Sequence, residues 1–77
     1  MVRIEKLELT DSTARYKYYP ENSERSGIVA LNRNTGERIL EESLAGYDNT
    51  YAAHALRRIE EYQRDGKFLE KDKIAWY

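Results

Sequence analysis

The chain contains no cysteine. This excludes disulfides, thiolate nucleophiles and thiolate-ligated zinc, and leaves the fold to packing and hydrogen bonding alone. Histidine and tryptophan occur once each, as His54 and Trp76, and proline once, as Pro20. A single imidazole falls short of the three or four ligands a metal site needs. Gly27, Gly36, Gly46 and Gly66 are scattered as isolated turn markers, so no glycine-rich phosphate loop can be drawn. No apolar run approaches the length of a membrane span, and the opening MVRIEKLELT alternates charged and apolar residues instead of building the apolar core of a signal peptide. The expectation is a cytoplasmic protein with no membrane association and no cofactor. Neither sign of charge is in excess, with 13 Lys+Arg against 14 Asp+Glu. A general nucleic-acid binder needs a surplus of cations to neutralise phosphates, so only a local basic patch could serve that role here.

The 77 residues make a single domain, 1–77. A chain this short buries only about 60–65% of its unfolded surface, which leaves a thin core and no room for a deep substrate cavity. Its periodicities predict an α+β fold: an antiparallel four- or five-stranded meander with one helix packed across one face. Val2, Ile4, Leu7 and Leu9 read as a strand whose alternation slips by one at Glu5–Lys6, the signature of a β-bulge. In the second strand, Ala14, Tyr16 and Tyr18 share one face while Arg15, Lys17 and Tyr19 share the other. Pro20 ends it. GIVALN and ERILEE supply two more strands around the NRNTGE turn. Asp48, Asn49 or Thr50 can cap a helix that Gly66 terminates, and Ala52, Ala55, Leu56, Ile59 and Tyr62 form its apolar stripe. The closing IAWY is too apolar for solvent and is expected either to form a fifth strand or to fold back over the helix.

No constellation of side chains satisfies the geometry of a catalytic site, so a non-enzymatic protein is expected. On a helical wheel His54 points roughly 90° or more away from the apolar stripe, beside Arg57, Arg58 and Glu61, which predicts an exposed ring on a convex surface. Glu41–Glu42 and Glu60–Glu61 are sequence neighbours that diverge on a strand or helix, so they solvate rather than form an acid/base dyad. Arg57 and Glu61 form an i,i+4 pair worth about 0.3 kcal/mol.

Two surfaces remain as binding candidates. Tyr51, Arg58 and Tyr62 line one shoulder of the helix, and with Trp76 and Tyr77 they offer the residue types enriched at protein-binding hot spots. The simpler reading of the tyrosines is that they complete a small core with their hydroxyls kept wet. The sheet face away from the helix carries Arg3, Arg15, Lys17 and Arg38, with Glu5 and Tyr19 among them. It is the alternative, nucleic-acid-binding surface, although single-strand binders usually present two or three stacking aromatics rather than one.

The segments YYPENSERSGIVALNRNTGE and HALRRIEEY, with the terminal IAWY, resemble a group of small uncharacterised proteins of bacterial genomes and their prophages, over residues 16 to 77. The resemblance implies no activity. It implies a phage- or mobile-element-associated setting, in which a host or phage protein is the expected partner. Self-association into a two-fold homodimer is the other expected contact, because burial against a twin offsets a thin core.

Overall fold

The computed structural model describes residues 1–76. Five strands and one helix follow in the order β1 (Val2–Leu9), β2 (Thr13–Pro20), β3 (Gly27–Asn32), β4 (Arg38–Glu42), α1 (Thr50–Asp65) and β5 (Lys71–Ile74). The sheet is antiparallel throughout, with spatial order β4-β3-β2-β1-β5. The first four strands form the expected meander. The helix then carries the chain back across the sheet, and β5 pairs with β1 at the far edge.

Strict alternation in β2 sets the polarity of the sheet. Ala14, Tyr16, Tyr18 and Pro20 are buried towards α1, while the residues between them are half-exposed on the open face. Ala52, Ala55, Leu56, Ile59 and Tyr62 pack onto that buried face together with Val2, Ile4, Val29, Leu31 and Ile74. The residue at the helix N-cap is Asn49, whose side chain makes no capping bond; the Asp48 carboxylate, one residue earlier, accepts the Thr50 N–H at 2.9 Å. The helix ends where Gly66, at φ 76°, donates its N–H to the Tyr62 carbonyl; a side chain is disfavoured in that left-handed conformation.

Three sequence expectations need correction. The irregularity in β1 lies between Lys6 and Glu8, with Leu7 as the extra residue, so Leu7 and Leu9 end up exposed. Gly27 is not a turn residue but the buried first position of β3, opposite Tyr18. The fifth strand is KDKI, which takes Ile74 from the closing segment, while Trp76 folds back against the helix. Arg38 pairs with Leu31, whose side chain is in the core, so it lies on the helix side of the sheet. There it forms a two-pronged ion pair with Glu60 of α1, at 2.7 and 2.9 Å.

Candidate functional site

The helix shoulder expected to bind a partner is largely occupied from within. Tyr62 is buried, its ring 6.0 Å from that of Tyr16 and its hydroxyl donating to Asp72 of β5. Arg58 donates to the same carboxylate oxygen at 2.6 Å, with a second ion pair to Glu61 at 3.3 Å. Glu61 thus pairs with Arg58 rather than with Arg57, which has no ion pair among the described residues. Burial opposes ionisation of Asp72. The hydrogen bonds from Tyr62, the Lys73 N–H and Arg58 outweigh it and hold the carboxyl below its ordinary pKa. Burial, reinforced by Asp72, pushes the Tyr62 phenol well above its ordinary value. This trio fastens β5 to α1 and is a structural clasp; charge-assisted hydrogen bonds in a part-buried setting are the strong kind.

The other members of the shoulder form an aromatic cluster at the start of the helix. Trp76 stacks on His54 with ring centroids 3.8 Å apart and planes within 13°. Tyr51 meets the Trp76 ring edge-on at 5.5 Å and the Tyr47 ring at 5.6 Å, while its hydroxyl donates to Glu21 at 2.9 Å. The expectation of an exposed His54 on a convex surface is therefore corrected: the ring is half-buried and lines a cleft between α1 and the returning C-terminal segment. The helical wheel describes only the helix, and Trp76 comes from outside it. That cleft, bounded by Arg57, Arg58, Glu61 and Trp76, holds about 190 Å³, below the range of about 300–1,000 Å³ typical of small-molecule sites. Tyr77, the remaining hot-spot candidate, lies outside the described residues.

On the open face, three of the four residues assigned to nucleic-acid binding are committed to neighbours. Arg15 is held by Glu41 at 2.9 and 3.0 Å and approached by Glu8 at 3.7 Å. Arg3 donates to the Ser23 carbonyl at 2.6 Å and lies over the Tyr19 ring at 4.9 Å, covering the one aromatic available for stacking. Lys17 stands across from Glu5. Sequence reasoning missed two cations: β5 places Lys73 beside Arg3 and Lys71 beside Glu5, both exposed on this face. With Tyr19 they border a shallow depression of about 360 Å³. The signal was the alternation Lys71, Asp72, Lys73, Ile74, which puts both lysines on one face once a strand is drawn there.

The two sheet edges differ. At the β5 edge the exposed lysines flank the strand, and the Lys73 N–H is capped by the Asp72 carboxylate at 2.8 Å. Charged residues and side-chain capping are ways in which edges are protected from further pairing. At the β4 edge every residue is exposed, including Ile39 and Leu40 at 37% and 38%. Ile39 pairs with Ala30 and Leu40 with Val29, so one aliphatic side chain projects on each face of the sheet. The bond from the Asn32 N–H to the Glu37 carbonyl fixes the phase of the β3–β4 ladder. Hydrogen-bonded and non-bonded pairs alternate along an antiparallel ladder, so Arg38 and Leu40 direct their own N–H and C=O groups outward.

Among the described residues no cluster of His, Asp and Glu is placed to hold a metal ion, and no helix is long and apolar enough to cross a membrane. Compared with known protein families, curated proteins and solved structures, the chain matches none of them.

Proposed function

We propose that this protein is a small non-enzymatic, cytoplasmic binding domain that works by protein–protein contact through the β4 edge of its sheet. The observation that carries the reading is the contrast between the edges: β5 is guarded by lysines and a capped N–H, whereas β4 presents unpaired backbone groups with an aliphatic residue on either face. Such an edge offers main-chain hydrogen bonds for affinity and alternate side chains for selectivity, the basis of β-strand addition. The resemblance to prophage proteins supports a host or phage protein as partner. The test is to immobilise the parent chain, a Leu40→Lys variant and a Lys73→Glu variant against a lysate of the cells that encode it. A protein retained by the parent and by Lys73→Glu but lost with Leu40→Lys supports the reading. Equal retention by all three removes β4 from the contact.

A second reading has one observation in its favour. Lys71 and Lys73 join Arg3 around a shallow depression that Glu5 and Asp72 also line, with Lys17 across from Glu5. This gives a locally basic strip on a chain of net charge −1, suited to a phosphate backbone. With Tyr19 beneath Arg3, contact would be to phosphates more than to bases.

A further inference from the structure

We propose that the depression beside the Arg3–Lys73 pair is a seat for the phosphate group of a small molecule. The inference does not depend on the β4 contact, and it differs from the strip as a track for nucleic acid in seating one phosphate group instead of a chain of them.

Charges that stand across the ladders of this sheet are of opposite sign at Glu5–Lys17, Glu5–Lys71 and Glu8–Arg15. The Lys6 N–H donates to the Glu70 carbonyl just before β5, and there too the side chains form an ion pair, at 3.0 Å. The exception is Arg3, which stands opposite Lys73. The Lys6 bond sets the phase of the β1–β5 ladder, so three positions on Arg3 and Lys73 form a non-hydrogen-bonded pair, with Cα atoms about 4.5 Å apart and side chains at their closest. Like charges placed in this way destabilise a strand pair. Neither cation has an ion pair among the described residues, whereas Arg15, Arg38, Arg58 and Arg64 each have one. The two acids at the rim do not fill the gap. Asp72 has its carboxylate taken up by Tyr62, Arg58 and the Lys73 N–H, and Glu5 stands between Lys17 and Lys71. The sheet thus spends stability on a pair of cations and leaves their counter-ion to come from outside.

The geometry suits a phosphate. Arg3 is held in place, its guanidinium on the Ser23 carbonyl at 2.6 Å and over the Tyr19 ring at 4.9 Å. One N–H of its planar, five-donor fork is used there, and the rest remain for paired anionic oxygens. Lys73 adds a point charge on a flexible stem, and Lys71, two residues along the same face, adds another. The depression of about 360 Å³ lies within the range of about 300–1,000 Å³ typical of small-molecule sites. The free cations stop at its border. Farther across the open face Arg15 is bound by Glu41, and Glu42 stands opposite Ile28. A polyanion laid across the face meets those carboxylates, and a single phosphate group does not.

The test is a titration of the isotope-labelled full chain with inorganic phosphate, chloride being withdrawn to hold ionic strength constant. Saturable shifts are expected at the amides of Arg3, Tyr19 and Lys73, together with a rise in melting temperature. Lys73→Gln should weaken binding roughly tenfold, the loss expected for one charge-assisted hydrogen bond. Arg57→Gln, which removes an exposed cation of the helix that has no ion pair among the described residues, should leave binding unchanged. Lys73→Glu should abolish binding and yet melt above the parent in phosphate-free buffer, because it turns a like-charged pair into an opposite one; the gain shows that the variant is folded. A titration that does not saturate by tens of millimolar phosphate, or equal weakening by Lys73→Gln and Arg57→Gln, overturns the seat, as does a Lys73→Glu chain that melts below the parent. A single-stranded oligonucleotide whose affinity climbs with each added nucleotide overturns it in favour of a nucleic-acid track. None of these outcomes bears on β4, whose own test is the loss of a partner with Leu40→Lys.

Discussion

Replacing Gly27 with alanine sets two effects of opposite sign against each other. Loss of chain freedom in the unfolded state favours the alanine by about 0.4–1 kcal/mol wherever the native backbone accepts a side chain. At this position the space is taken. A methyl group would fall inside contact distance of the Tyr18 ring and 2.5 Å from the carbonyl oxygen of Glu42. Tyr18 is 2% exposed and lies directly across the ladder, so its ring covers the glycine and cannot swing into solvent without opening the core. The carbonyl belongs to the end of β4 and moves only with that strand. Overpacking of this kind costs about 1–3 kcal/mol, and with a rigid neighbour on both sides the upper end applies. The net loss is therefore about 2 kcal/mol, or a fall in melting temperature of about 8–16 °C for a domain of this size. Thermal denaturation followed by circular dichroism would measure it. In a Tyr18→Leu background the added cost of Gly27→Ala should shrink by about 1 kcal/mol, because directly contacting residues couple. A Gly27→Ala variant as stable as the parent would refute the argument, since it would mean that β2, β3 and β4 part easily at this point.

His54→Ala should remove one ring of the stack on Trp76, lowering stability by about 0.5–1 kcal/mol and shifting Trp76 emission to the red; an unchanged spectrum would mean that the stack does not persist in solution. Asp72 has its pKa depressed on folding, so its contribution is present above the unfolded carboxyl value of about 3.9 and is lost as pH falls through the folded one. The Asp72→Asn variant should start less stable and show a shallower acid limb in urea titrations. Tyr62 has its pKa raised on folding, so the opposite sign holds: its contribution is present below about pH 10 and lost above it, and Tyr62→Phe should flatten the alkaline limb. If the basic strip binds single-stranded nucleic acid, the affinity should fall steeply with salt, and Lys71→Glu with Lys73→Glu should abolish it; a salt-independent affinity would exclude phosphate contact.

The parts of the fold legible in the sequence were those fixed by local rules. The alternation in TARYKYYP, the stripe from Ala52 to Tyr62 and the glycine at position 66 each follow from chain geometry alone, and the structure agrees with all three. The parts that were not legible depend on distant partners. Lys71–Ile74 has little intrinsic preference for a strand; it is one because Asp72 is gripped by Tyr62 and Arg58 and because Ile74 fills the core beside Val2. The sequence pattern misplaces Arg38 because β4 has an aliphatic residue on each side, so the hydrophobic pattern leaves its parity undetermined. Only the register to β3 decides it. For the candidate site the same limit applied. Lys71 and Lys73 could not join Arg3 until β5 was placed beside β1, and His54 could not be seen as covered until Trp76 was brought to it.

The thin core also explains which surfaces are left free for binding. A chain of 77 residues has few large side chains to spare, and the helix-side tyrosines, Trp76 and Arg58 are spent on closing the fold: Tyr16 donates to the Leu69 carbonyl at 2.6 Å, Tyr62 and Arg58 clasp β5, and Tyr51 and Trp76 cover the start of the helix. Residue types enriched at binding hot spots are the same ones that bury the most area per side chain, so in a small domain their presence does not by itself mark an interface. What distinguishes a free surface is unsatisfied bonding capacity. By that criterion the helix shoulder, with its hydroxyls and guanidinium already paired, ranks below the β4 edge, where the N–H and C=O groups of Arg38 and Leu40 face outward and Leu40 stands exposed. One helix cannot roof five strands, and the strand left uncovered has the most to gain from a partner.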